Sequence, residues 1–126
     1  LRGFGAETRV KLTGPLLTLR PMAVQYLGMA IHELATNAVK YGALSDGAGS
    51  IDVSWWVSEH KEFIFCWSER SSSTAKAASR SGFGTTVLGQ IAPRAVSGKA
   101  VTTIGPQSLR WVLTAPLDRV EIADVA

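Results

Sequence analysis

An apolar-periodic stretch begins after Pro21 and runs to Gly42, and no other feature of the chain constrains its fold as tightly. The recurrence predicts one long helix, which Gly42 ends as a C-terminal glycine commonly does. At about 100° per residue, Leu27, Ala30, Ile31, Leu34 and Ala38 cluster on one face, which must dock on something apolar. Glu33, Asn37 and Lys40 fall in a narrow stripe beside that face, with Tyr41 at its edge. His32 lies about 100° from Glu33, off the stripe. A carboxylate, an amide and an ammonium placed together suit magnesium and phosphate: hard oxygens for the metal, a point positive charge for the anion. The same residue types also describe a solvated helix face with an i,i+4 contact, and the stripe alone does not choose between the two.

A chain of 126 residues, 46% hydrophobic and 18% charged, is expected to form one domain with a proper core. No apolar run approaches the roughly 20 residues of a spanning helix, so no membrane contact is expected. The sequence opens on Leu1 rather than Met, which suggests a domain cut from a longer protein; no charged-then-apolar leader is seen, so no secretory signal is expected and a cytoplasmic location is. Cys66 is the only cysteine, so an internal disulfide and a cysteine zinc site are excluded, and a reducing compartment fits. It sits between Phe63 and Trp67, where a buried, inert thiol is expected. The net charge is only +3 and the basic residues are scattered, which argues against a nucleic-acid partner. Mild positive charge suits an anionic ligand such as a nucleotide.

Strand patterns flank the long helix. Glu7 to Leu12 alternates polar and apolar and reads as an edge strand closed by Gly14-Pro15; Leu16 to Leu19 reads as a short second strand. Ile51 to Val57 and Glu62 to Trp67 form a hairpin around the polar Ser58 to Lys61. Lys99 to Ile104 and Leu109 to Ala115 form another around Gly105 to Ser108. Residues 68–81 carry no hydrophobic period and read as a long loop, of the kind that is usually functional. Thr85 to Val96 holds a second helical pattern, interrupted by Pro93, and the tail after Leu117 has no clear pattern. Strands joined by short turns run antiparallel, and two helices must cover one face of their sheet. The expected architecture is a two-layer α/β sandwich with a mixed, mostly antiparallel sheet.

Two further motifs join the helix stripe. Trp67-Ser68-Glu69 stands where a strand gives way to the long loop, and a carboxylate there can accept a hydrogen bond from an exocyclic amine such as that of adenine. Gly82-Phe83-Gly84-Thr85 leads into the second helix. Two glycines let the backbone approach a ligand, and a helix N-terminus offers N–H groups to phosphate. The pattern is neither a P-loop nor the dinucleotide fingerprint.

In this order, the three motifs resemble the catalytic and ATP-binding domain of histidine kinases, within the superfamily shared with gyrase that has the Bergerat, or GHKL, fold. More narrowly, the chain resembles the HWE histidine kinases, named for a histidine in the first motif and a Trp-x-Glu in the second. His32 and Trp67-Ser68-Glu69 supply both. His32-Glu33-Leu34-Ala35-Thr36-Asn37-Ala38, followed by Lys40-Tyr41-Gly42-Ala43-Leu44, matches the family's N box, and Gly82-Phe83-Gly84-Thr85 its glycine-rich box. The resemblance covers residues 7 to 117. Where relatives continue with a Gly-Gly-Pro-like turn after Trp-x-Glu, this chain has Arg70-Ser71-Ser72-Ser73.

The resemblance implies a role for each matched position. Asn37 would hold Mg²⁺ bridging the phosphates of ATP, and Glu33 would orient the reacting centre or a metal-bound water. His32, the subfamily's signature and the second catalytic candidate, lies off the stripe and would supply a supporting hydrogen bond rather than direct chemistry. Lys40 would contact phosphate, and Tyr41 would pack on the nucleotide. Glu69 would read the adenine amine where most relatives use aspartate, and Trp67 would serve mainly as packing. Gly82, Phe83, Gly84 and Thr85 would line the phosphates, residues 68–81 would form the lid, and Thr114 would reach adenine through water. Cofactors would be ATP and Mg²⁺. The acceptor histidine would belong to a separate helical dimerisation domain absent from these 126 residues, with a response regulator engaged through the parent protein. The fragment itself is not expected to phosphorylate its own His32 or His60. A degenerate, non-catalytic nucleotide-binding or partner-interaction module is the rival expectation.

Overall fold

The computed structural model of the protein describes residues 9–45, 47–71 and 86–122. Five strands form one sheet in the order β1-β2-β3-β5-β4: β1 (Val10–Thr13), β2 (Ser50–Val57), β3 (Glu62–Arg70), β4 (Lys99–Ile104) and β5 (Ser108–Pro116). Helix α1 (Pro21–Lys40) carries the chain back between β1 and β2, so these two run parallel, as a helical crossover allows. All other neighbours are antiparallel. The mixed, mostly antiparallel sheet expected from the strand order is therefore present, with β1 at its edge.

Helix α1 starts where Pro21, following the extended Arg20, fixes the first-turn geometry without needing an N–H partner. It ends through main-chain bonds: Tyr41 N–H to Asn37 O at 2.7 Å, then Gly42 and Leu44 N–H to Ala38 O at 3.1 and 3.0 Å. These satisfy carbonyls that a helix end would otherwise leave open. The buried side of α1 carries Ala23, Ala30, Leu34 and Ala38. Three of the four are alanines, which let the helix axis come close to the sheet.

Strand alternation builds the facing layer. Ile51 and Val53, Phe63, Phe65 and Trp67, and Leu109, Trp111, Leu113 and Ala115 are all buried in one core with α1. Register pairs them across strands, as in Val53–Trp67–Trp111. Each large side chain removed from water contributes about 1.5–3 kcal/mol. The edge of Trp111 meets the Phe65 ring at 6.0 Å, and its Nε1–H donates to Leu88 O at 3.0 Å. That bond ties the second helical segment to the sheet.

Several expectations need correction. The second helix is not uniform: Val87–Ile91 forms a π-helical turn that passes into a short α2 (Ala92–Ala95). Pro93 has no N–H to give and crowds the turn before it, and the wider turn accommodates both. Leu16 to Leu19 is not a strand; Leu16 is fully exposed, and Leu19 makes a single bridge to Glu121. The run packs instead of pairing: Leu17 and Leu19 are partly buried against the core. Ser68, Glu69 and Arg70 belong to β3 rather than to the loop, and Ser71 N–H continues the pairing to Gln107 O. The core also reaches past Leu117. After a 3₁₀ turn (Leu117–Arg119), Val120 is buried, Arg20 N–H donates to its carbonyl, and Ile122 N–H donates to Thr18 O. Cys66 is buried and free, as expected. Among the described residues no helix is long and apolar enough to cross a membrane.

Candidate nucleotide site

The C-terminal half of α1 presents the polar stripe. Asn37 is only 5% exposed, Glu33 and Tyr41 are half-buried, and Lys40 and His32 are exposed. Helical geometry places Asn37 between the aliphatic face and the Glu33 edge, so its amide sits at the margin of the core. Among the described residues the Asn37 side chain makes no hydrogen bond, and Glu33 and Lys40 form no ion pair. The i,i+4 contacts of an ordinary solvated face are therefore not what holds these residues. A buried amide without a partner is uncommon and points to a ligand.

The second element is a carboxylate held in place. Glu69 is 2% exposed on the helix-facing side of β3, in register with Ile51 and Leu109. Its Oε1 accepts from Ala43 N–H at 3.2 Å and its Oε2 from Trp67 Nε1–H at 2.7 Å. A buried carboxylate is costly unless hydrogen-bonded, and these two donors meet that requirement. Ala43 belongs to the segment that leaves α1, so Glu69 joins the end of the helix to the end of β3. The same segment is gripped from the other side, where Arg9 Nη2 donates to Ala43 O at 2.7 Å and Arg9 Nε to Gly49 O at 2.8 Å. A Cβ on Gly49 would lie 2.1 Å from Ala43 O, so only glycine permits this approach.

The structure thus brings Glu33, Asn37 and Tyr41 along one edge of α1 and anchors Glu69 to the loop that follows. It does not bring His32 into that group: His32 is exposed and has no hydrogen-bond partner among the described residues, so the supporting bond expected of it is not formed. Thr114 is misplaced as an adenine contact. It pairs with Ile64 and Lys99, whereas the buried, helix-facing positions of β5 are Leu109, Trp111, Leu113 and Ala115. Gly82, Phe83, Gly84 and Thr85, and residues 72–81 of the expected lid, lie outside the described residues. Arg9, Ala43 and Gly49 escaped the sequence reading because their bonds run to main-chain atoms 34 and 40 residues away.

No cluster of three or more acidic, histidine or cysteine side chains able to hold a metal occurs among the described residues. The donor set fits magnesium that arrives with phosphate, since that ion keeps few protein ligands and takes most of its oxygens from water and substrate. A cavity of about 640 Å³ lies on the opposite flank of α1, lined by Leu12, Leu17, Leu27, Ile31, Trp55 and Trp67 among others. All of its lining residues are apolar in character, so it offers nothing to a triphosphate and is not this site.

Known proteins with similar sequence and shape bear on this arrangement. No family model matches the chain. It is 48% identical over 66 residues to blue-light-activated histidine kinase 1 of Erythrobacter litoralis, covering 52% of this chain and 18% of that protein. It is 32% identical over 112 residues to the blue-light-activated histidine kinase of Brucella ovis, covering 86% of this chain and 23% of that protein. The chain therefore spans about a fifth of the length of these relatives. Its fold matches the histidine kinase domain of the Erythrobacter litoralis blue-light-activated kinase EL346 with a TM-score of 0.71 at 11% identity, covering 88% of this chain and 52% of that one. In sequence the chain is similar to a part of these blue-light-activated histidine kinases, and in fold to a histidine kinase domain.

Proposed function

We propose that this domain holds Mg·ATP between the C-terminal half of α1 and the Glu69 end of β3, and presents the γ-phosphoryl group to a histidine on a separate helical domain. The observation that carries this reading is the Asn37 amide, nearly buried, without a hydrogen bond among the described residues, and on the same helix edge as Glu33. Leaving such a group unsatisfied costs about 1–3 kcal/mol, a cost that a bound ligand removes.

Each residue then has a task. Asn37 supplies a neutral oxygen to the metal, and Lys40 meets phosphate as a mobile point charge. Tyr41 packs beside the nucleotide, and Glu69 accepts from the adenine amine. Glu33, half-buried on the same edge, orients the reacting centre. Gly82 and Gly84 would give the phosphates backbone room, with Phe83 and Thr85 beside them. Magnesium, held by Asn37 with the phosphates, would supply charge neutralisation there. In the transfer, the bond from the γ-phosphorus to the bridging oxygen breaks, a phosphorus–nitrogen bond to the acceptor imidazole forms, and ADP leaves. Such a reaction asks the protein for positioning and charge more than for covalent help.

Calorimetric titration of the chain with ATP, with and without Mg²⁺, tests the reading. Binding should depend on Mg²⁺, and Asn37→Ala should weaken it by about tenfold or more, as loss of a charge-assisted contact does. Equal, negligible binding by both proteins would overturn it in favour of a partner-interaction module.

A further inference from the structure

We propose that Trp67 is a positioning residue for nucleotide recognition: its indole N–H holds the Glu69 carboxylate in the orientation that reads the adenine amine. The inference rests on the assignment of Glu69 as the adenine acceptor. Trp67 and Glu69 are two residues apart on β3, so both side chains rise from the same face of the sheet. Trp67 is 4% exposed and Glu69 2%, and the bond between Nε1 and Oε2 is 2.7 Å long.

A buried indole must find an acceptor, and core packing alone would explain some bond from Trp67. It does not explain the choice of partner. Trp55 Nε1–H donates to Pro15 O and Trp111 Nε1–H to Leu88 O, both main-chain carbonyls that are present in any case. Trp67 instead bonds a carboxylate, which is expensive to bury. That arrangement serves the carboxylate. Glutamate has three rotatable side-chain bonds, and one donor on each oxygen fixes its plane: Trp67 from the strand, Ala43 from the loop that ends α1. A carboxylate has roughly four acceptor sites, and the Trp67 and Ala43 donors take one on each oxygen. The indole therefore sets where the carboxylate points, and the ligand meets an acceptor already oriented.

The test compares ATP with purine riboside triphosphate, which lacks only the exocyclic amine, in the presence of Mg²⁺. The chain should prefer ATP. Replacing Trp67 with benzothienylalanine keeps the ring and removes the N–H; Trp67→Phe is the genetic counterpart. In the isostere the preference for ATP should fall by about tenfold, the scale of one charge-assisted hydrogen bond, while binding of the deaminated nucleotide stays unchanged. Parallel weakening of both nucleotides would reduce Trp67 to a packing residue and overturn the proposal, as would an undiminished preference for ATP in a folded isostere. Should the unsubstituted chain bind both nucleotides equally, the adenine role of Glu69 fails and the proposal goes with it. Asn37→Ala still reports separately on whether the triphosphate binds. The isostere keeps the comparison decisive if Trp67→Phe does not fold.

Discussion

At the scale of single residues, the candidate site divides into groups held by the protein and groups left for a ligand. Glu69 is fixed by two donors, whereas Asn37 is buried without one and Lys40 stands exposed without an ion pair among the described residues. The division assigns different work to them. Lys40, a flexible ammonium in water, gains little from any surface contact: about 0.2–1 kcal/mol, and less as salt rises. Lys40→Ala should therefore weaken ATP about threefold to fivefold at low ionic strength, a loss that shrinks on adding salt. Adenosine, which has no phosphate, should bind both proteins alike. Titration of the two ligands at two salt concentrations checks this; equal losses for both would remove Lys40 from the phosphate site. His32, by contrast, carries a family signature and yet bonds nothing among the described residues, so its presence in the motif is not explained by contacts within this domain.

At the scale of elements, two glycines with opposite surroundings separate turn geometry from helix propensity. Gly28 lies exposed in the middle of α1 with nothing within 4 Å of an added Cβ, while a Cβ on Gly49 would strike the Ala43 backbone at 2.1 and 2.6 Å. Gly28→Ala should stabilise the domain by about 0.5–1 kcal/mol through lower entropy of the unfolded chain. Gly49→Ala should destabilise it by about 1–3 kcal/mol, since backbone rather than a flexible side chain must yield. It should also relax the Ala43 grip on Glu69 and lower the preference for ATP over its deaminated analogue. Urea unfolding of the two variants measures the opposite signs. The same contrast explains what was legible in the sequence. Helix α1 and both hairpins follow from periodicity and from turn residues a few positions apart, so their pattern is local. Asn37 and Glu33 were placed on one edge by helical arithmetic alone. The clamp of Arg9, Ala43, Gly49 and Glu69 joins main-chain atoms distant along the chain, and no side-chain pattern announces a carbonyl as an acceptor. The π turn before Pro93 and the unpaired run from Leu16 were misread for related reasons. Each depends on what lies beside it in space: the space ahead of a proline, and the core against which Leu17 and Leu19 pack.

At the scale of the whole molecule, the sheet keeps its two ends apart, and this governs which histidines the bound nucleotide can reach. Glu69 stands one residue from the end of β3, whereas His60 lies in the turn where the β2–β3 hairpin begins, paired only loosely with Glu59 at 3.8 Å. Phe63 to Glu69 is six steps along an extended strand, about 20 Å, and His60 lies beyond that. A phosphoryl group held near Glu33 and Asn37 cannot cross the domain to it. His32 is close in sequence but turned about 100° from Glu33 on an uninterrupted helix of 20 residues, which gives it no way to swing toward the phosphate. With the nucleotide placed as proposed, neither histidine of the chain would be an acceptor within the same copy, and transfer would go to a histidine carried elsewhere. Incubated with γ-labelled ATP and Mg²⁺ at concentrations where binding is saturated, the 126-residue chain should retain no acid-labile label. Stable label mapped to His60 would mean that transfer occurs between copies or that the nucleotide lies elsewhere, and dilution distinguishes these, since only transfer between copies slows on dilution. Label on His32 at a dilution-independent rate would place the phosphate on the outer face of α1 and remove Asn37 from the metal site.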